Sequence, residues 1–510
     1  MHVAIVGGGI SGLYSALILR REGHQVTVYE SSDRIGGRIY THRFQPNSKN
    51  EDIFFEAGAM RIPRSSLHSQ VYDLVRYLNT HNTAEDKVEL IPYILEHENN
   101  MTYIHNEKKD IDDITWGAKL GIPKAYHGKS AKQLLGEVVR PWLELLREDF
   151  DSGFEEILKY DEFSFRAYLR AIVGWPHEVI EFVELMVSQT NQYELSFTEI
   201  IMQNLDFDTK DWVTIRNGMS RLAMSAANLV GRRQIHLNSP VKRIVELPDG
   251  KIRLFTSGPV ERSGEFDKVI LAIPPAALHN IQERPKWSFM KEQSIRGIHY
   301  EPLYKIGLHF RTRFWEQSSR PSFGGQSTTD LRFRWIVYPS NDIGKPGSGV
   351  LLLYSWMTDA SRWNSLAREE RIRLALFDLN KFFGNDENEV NVYEQYIEAF
   401  DVSWSCESAM GDAMFLPGQF SRFHDISKKP EGNIHFAGEH LSRHHTWIAG
   451  ALDSALTTVG DILGEKELRP LGREFISAAK ERSLQKTDIP SRYFAYAIPH
   501  HLNVQYVKIA

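Results

Sequence analysis

The sequence predicts an α/β protein whose N-terminus opens a parallel, doubly wound sheet. Two observations predict it. His2–Val6 is a short β-branched run bounded by glycine, the pattern of a strand buried on both faces. It leads into Gly7-Gly8-Gly9-Ile10-Ser11-Gly12, then into an apolar-periodic stretch and a second β-rich run, Gln25–Tyr29. Strand, glycine-rich turn, helix and strand, in that order, make a βαβ unit.

Each part has a physical reason. Gly7, Gly9 and Gly12 form G-x-G-x-x-G. The first allows a tight turn, the second lets backbone approach a pyrophosphate, and the third lets helix and strand pack closely. Leu13, Ala16 and Leu17 share one face of the helix that follows, Arg20 and Arg21 stand near its end, and Gly23 closes it. Amides at the helix N-terminus, Ser11 among them, favour phosphate charge. Glu30 sits at the tip of the second strand, 18 positions after Gly12, where an acid can accept hydrogen bonds from a ribose. This is a Rossmann-type dinucleotide site.

The next segment separates FAD from NAD. Asp33-Arg34-Ile35-Gly36-Gly37-Arg38 places paired glycines between arginines, which can wrap a second stretch of the same pyrophosphate. The string resembles the second half of the dinucleotide motif of two-domain FAD oxidases, and a nicotinamide dehydrogenase does not need it.

Glu56-Ala57-Gly58-Ala59-Met60-Arg61-Ile62-Pro63 follows. Together with Arg34 to Arg38 it resembles the flavin-containing amine oxidase family, which includes monoamine and L-amino acid oxidases. Three further regions are similar to that family: Gln234–Ile244 with Lys268–Pro275; Tyr304–Trp315, with a single lysine and then Phe-Trp; and Asn433–His440 with Thr446–Ala455. The resemblance runs from residue 2 to about 465 and leans toward L-amino acid oxidases. It implies a glutathione-reductase-like fold with two dinucleotide motifs. It also implies cofactor contacts from Gly58, Ala59, Met60 and Arg61 under the ring, Val241 at the adenine, Gly438 and Glu439 on the ribityl-phosphate side, and Trp447 and Ile448 near the flavin. Monoamine oxidases attach the flavin to a cysteine shortly before a Pro-Gly pair. Here Met410 takes that place before Pro417-Gly418, and the sole cysteine, Cys406, lies four residues upstream, so noncovalent FAD and a buried, inert thiol are expected.

The resemblance also implies a substrate site. Carboxylate recognition wants a bidentate arginine fork; the family pattern points just beyond Arg61, where Arg64 is the nearest candidate. Tyr338, ending Arg334-Trp335-Ile336-Val337-Tyr338, is expected to help hold the carboxylate, and Trp447 to wall the amine side and favour the neutral amine. Lys305 alternates with Tyr304, Ile306, Leu308 and Phe310 and points to the other strand face. A buried lysine is costly unless paired; the resemblance implies that it orders a water at flavin N5 and assists reoxidation by dioxygen. The histidine that some relatives carry in the helical region has no counterpart in Gln203-Asn204-Leu205-Asp206-Phe207.

Residues 1–62, 217–285 and 425–465 are expected to form the FAD-binding domain. Residues 63–129 and 286–424 would form a mixed-sheet substrate-binding domain, with 130–216 a helical insertion and 466–510 a C-terminal extension. The extension ends in Tyr493, Phe494, Tyr496 and Tyr506, and is expected to pack on the body or on a second subunit, making a homodimer the expected assembly. With 60 basic against 66 acidic residues there is no electrostatic footprint for nucleic acid, and no apolar run is long enough to span a membrane. One cysteine excludes an internal disulfide and a thiolate metal site. His440, His444 and His445 are read as packed or solvated side chains, so no metal is expected. Without an export signal the expected location is the cytoplasm.

The function these readings favour is oxidative deamination of an L-amino acid, with hydride transfer to flavin N5, hydrolysis of the imine to keto acid and ammonia, and formation of hydrogen peroxide. An amine or polyamine oxidase, an amino-acid monooxygenase giving an amide, and a noncatalytic flavoprotein remain open alternatives.

Overall fold

The computed structural model describes residues 1–44, 53–384, 390–406, 410–465 and 468–473. The N-terminal unit forms as its glycines dictate. His2–Val6 is the middle strand of a five-stranded parallel sheet, in the order Ile235–His236, Gln25–Tyr29, His2–Val6, Lys268–Leu271, Ile434–Phe436. Val3, Ala4 and Ile5 have no exposed surface, as expected for a strand covered on both faces. The helix after the glycines spans Ile10–Arg21 and packs on Ser220–Val230 and Ile448–Leu463. A side chain at Gly12 would meet the carbonyl oxygen of Gly7 at 2.1 Å, so helix and strand can approach only with glycine there.

The second sheet has seven strands, in the order Tyr396–Ser403, Leu303–Phe310, Gly349–Trp356, Trp335–Val337, Gln326–Thr329, Met101–Ile104, Glu107–Asp110. It is mixed: only Gln326–Thr329 and Met101–Ile104 run parallel. Leu303–Phe310 is an interior strand with two faces. Tyr304, Ile306, Leu308 and Phe310 pack into an apolar core with Phe314, Trp315 and the helix Arg368–Phe383, and Lys305 points the other way.

Helices Ala131–Glu148, Phe150–Leu158, His177–Met186 and Phe197–Phe207 form a block around Val179, Ile180, Phe182, Val183 and Ile200. Ser130 and Gln133 close a capping box at the start of the first, satisfying two helix-end donors. Among the described residues no helix is long and apolar enough to cross a membrane.

Leu471 is buried in the core of the first sheet, its amide donating to the Tyr14 hydroxyl at 3.1 Å, and Arg473 pairs with Asp73 at 2.9 Å. The extension therefore starts by folding back on the body; its aromatic part, including Tyr493 to Tyr506, lies outside the described residues.

Candidate active site

A cavity of about 410 Å³ is lined from both sheets and the helical block. Gly7, Gly9, Ser11, Glu30, Gly36, Gly37 and Arg38 line one part. Added side-chain volume at Gly9 would meet nothing, so its backbone borders open space. The helix begins there without a side-chain cap, and the Ser11 hydroxyl is buried with no partner. Orphan amides and an orphan hydroxyl beside a void are a donor set that suits a pyrophosphate. Glu30 accepts from the amides of Gly8 (2.7 Å) and Ser32 (2.8 Å), which fixes its carboxylate at the mouth of the cradle. The residues present therefore fit an FAD dinucleotide.

Arg38 and Glu439 close the far side. The guanidinium donates to Glu439 at 2.7 Å and to the Gly411 carbonyl at 2.8 Å. Glu439 also accepts from the amides of Ala413 (3.1 Å) and Thr446 (2.9 Å). Burial alone would raise its carboxyl, but Arg38, with His445 and His440, holds it down to about 2.

Gly58, Ala59, Met60 and Arg61 line the middle. Gly58 has no room for a side chain: one there would strike the Arg38 carbonyl at 1.9 Å. Lys305 is 4% exposed, and its ammonium donates to the Gly58 carbonyl at 2.6 Å and reaches the Glu56 carbonyl at 3.4 Å. It stands 4.5 Å above the Tyr354 ring. Burial and then the nearby Arg61 charge pull it down from 10.5 to about 7, so it changes charge near neutrality.

Arg61 is the residue that sequence reasoning undervalued. It is 7% exposed and lines the cavity, and its Nη1 has no partner. Four rings surround it: Tyr93, Phe207, Trp212 and Trp335, with centroids 5.9, 5.2, 5.7 and 5.5 Å from Cζ. The rings stabilise the cation from their faces, while a free N–H edge is left for an anion.

Several expectations are corrected. Arg64 is exposed and does not line the cavity. Its amide bonds to the Asp211 carbonyl at 2.8 Å, continuing the pairing of Ile62–Pro63 with Trp212–Val213. Arg61 to Pro63 line the cavity, and Arg64, just past the end of the Ile62–Pro63 strand, turns to solvent. Strand alternation removes Tyr338, which shares its face with Ile336. Trp335 lines the cavity, while Tyr338, three residues on, is buried in the other layer with its hydroxyl 3.0 Å from Ser327 Oγ. The side chain of Val241, which starts the antiparallel strand Val241–Glu246, is buried among Ile244, Ile252 and Leu278, so any part it has at the adenine falls to its backbone. Gly12 lies behind the cradle as a packing residue. Cys406, expected to be buried, is exposed at the end of the turn Trp404–Cys406.

Trp447 and Ile448 line the cavity. Trp447 meets His68 edge-on at 5.0 Å and packs near Phe207 (5.3 Å) and Trp212 (5.9 Å). Behind it lies a network invisible in the sequence: Asp206 bridges His68 Nε2 and His444 Nδ1, each at 3.0 Å. Burial would raise Asp206, but His444 and His68 hold it at about 2; burial would lower His444, but Asp206 raises it. His445 pairs with Glu199 at 2.8 Å. The histidines are thus occupied by carboxylates, and no cluster among the described residues could hold a metal.

The profile of the family described as flavin containing amine oxidoreductase matches residues 10–463. The chain belongs to that family. A candidate bifunctional amine oxidase of Dictyostelium discoideum is 33% identical over 98% of this chain, which spans 49% of that protein's length. An L-amino-acid oxidase of Naja atra is 28% identical over 90% of this chain and 87% of its own. Among solved structures, cyclohexylamine oxidase from Brevibacterium oxydans superposes with a TM-score of 0.67 at 20% identity, covering 91% of this chain and 98% of that one. Putrescine oxidase bound to putrescine does so with 0.66 at 19%, covering 91% and 100%. These neighbours share the amine oxidase fold. As a family member, the chain is an oxidoreductase with a flavin cofactor.

Proposed function

We propose that this flavin-containing amine oxidoreductase oxidises an L-amino acid to its imine, which hydrolyses to keto acid and ammonia. Arg61 carries the reading. A buried guanidinium with an unpartnered edge beside the Lys305 wall is a carboxylate receptor, because charge-assisted, bidentate pairing satisfies both the planar fork and the buried charge. The names of relatives with 27–28% identity, L-amino-acid oxidases, support the same class and the L configuration.

Bound noncovalently, FAD would supply the two-electron acceptor, and dioxygen would return it to the oxidised state as peroxide forms. The protein's own residues do the positioning. Arg61 fixes the carboxylate; Trp447, backed by Phe207 and Trp212, excludes water from the amine side and favours its neutral form. Lys305 holds a titrating ammonium in the same cavity, suited to ordering a water or delivering a proton during reoxidation. Noncovalent attachment agrees with Cys406, the sole thiol, which is exposed and off the cavity wall.

Oxidation of amines without a carboxylate is the second reading, favoured by the solved neighbours' substrates. A peroxide assay across L-amino acids, D-amino acids and amines tests the choice. Turnover of L-amino acids above their decarboxylated counterparts supports the first reading; the reverse order supports the second. Release of ammonia with a keto acid (from an amino acid) or an aldehyde (from an amine), and no amide product, separates both from a monooxygenase.

A further inference from the structure

The cavity holds a second polar feature that the reading above does not use. Glu301 and Asp412 face each other across the antiparallel bridge between Tyr300–Glu301 and Asp412–Ala413, and both line the cavity. Glu301 is 3% exposed, and both its oxygens accept from one neutral group, the Gln192 amide, at 2.8 and 3.1 Å. Asp412 Oδ1 is buried with no partner. Arg38 and Lys305 are near enough to act on Asp412 electrostatically, but neither hydrogen-bonds it: Arg38 Nη1 donates to Glu439 and Gly411, and Lys305 to Gly58. Two carboxyls are thus buried in one cavity wall with no cation hydrogen-bonded to either, a costly arrangement. Burial and then Asp412 push Glu301 well above the carboxylate range; burial and then Glu439 push Asp412 up as well.

The pair is not isolated. Tyr354 lies within electrostatic reach of Glu301, Asp412 and Arg61, and lines the cavity with Trp335 and Trp356. One cavity therefore carries an unpartnered buried guanidinium and an unpaired acid pair, with aromatic walls between. A zwitterion carrying one more positive charge is the ligand that satisfies both.

Resting on the carboxylate reading of Arg61, we propose that Glu301 and Asp412 form a subsite for a cationic side chain, making basic L-amino acids the substrate class. Gln192 positions Glu301, and the rings of Tyr354 and Trp356 line the alkyl stem between the two charges.

Four substrates assayed with the wild-type holoenzyme separate this proposal from the reading it rests on: L-lysine, L-norleucine, cadaverine and pentylamine. They vary the carboxylate and the terminal ammonium independently. The proposal expects kcat/KM for L-lysine to exceed that for L-norleucine by roughly 10- to 100-fold, the scale of a buried charge-assisted hydrogen bond. It also expects Glu301→Gln to collapse that ratio. An L-norleucine preference overturns the subsite and leaves the amino acid reading standing. A preference for cadaverine over L-lysine overturns the carboxylate reading and leaves the acid pair as a cation site. An unchanged lysine-to-norleucine ratio in both Glu301→Gln and Asp412→Asn overturns the subsite even if the wild type prefers lysine.

Discussion

The ammonium of Lys305 lies 2.6 Å from the carbonyl oxygen of Gly58. This contact joins an interior strand of the seven-stranded sheet to the segment Ala57–Arg61 that follows the dinucleotide unit, and it fixes a titrating cation in the cavity wall.

Lys305→Met should retain flavin, because the pyrophosphate cradle at Gly9 and Ser11 is elsewhere, yet slow reoxidation by dioxygen by about 100- to 1000-fold, the cost of losing one preorganised charge. Because the ammonium loses its proton as pH rises through about 7, the wild-type reoxidation rate should fall above that pH and the variant's should not. Stopped-flow traces of the reduced enzyme mixed with oxygen provide the check; wild-type rates in the variant would remove Lys305 from this role.

Asp206→Asn should destabilise the fold by about 3 kcal/mol, as expected when one partner of a buried ionic network is removed. The sign of the pH dependence follows from the shifts. His444 is raised in the folded state, so its pairing stabilises fully below 6.5 and the contribution is lost as pH rises through the folded value. Asp206 is lowered from 3.8 to about 2, so its share is present above 3.8 and lost as pH falls toward 2. The gap between wild type and variant in denaturation midpoints should therefore be widest near pH 5–6 and narrow toward pH 9. A gap that widens with pH contradicts this network.

Gly12→Ala should cost about 1–3 kcal/mol of overpacking strain and release the cofactor, since the added carbon meets the Gly7 carbonyl at 2.1 Å and pushes the helix start out of register with the cradle. Flavin absorbance remaining with the purified variant is the readout, and full occupancy would show that the helix can yield.

What could be read in the sequence was what local periodicity carries. The βαβ unit, the two faces of Leu303–Phe310 and the helices around Val179 to Val183 each follow from short-range pattern. The site was legible where glycines or a lone buried lysine force a position, as at Gly9 and Lys305. It failed near strand ends: Arg64 lies just past the Ile62–Pro63 strand and turns to solvent, and Tyr338 differs from Trp335 by three residues and so by one face. It also failed for contacts between distant segments. Nothing local links His68, Asp206 and His444, or Glu301 and Asp412, until the fold brings them together.

Arg61→Met removes the proposed carboxylate receptor, and its effect is read as kcat/KM for an L-amino acid and for the amine that lacks only its carboxylate. The expected result is a loss of about 100-fold for the amino acid, equivalent to ~3 kcal/mol of charge-assisted pairing, and little change for the amine. Equal losses on both substrates would contradict it.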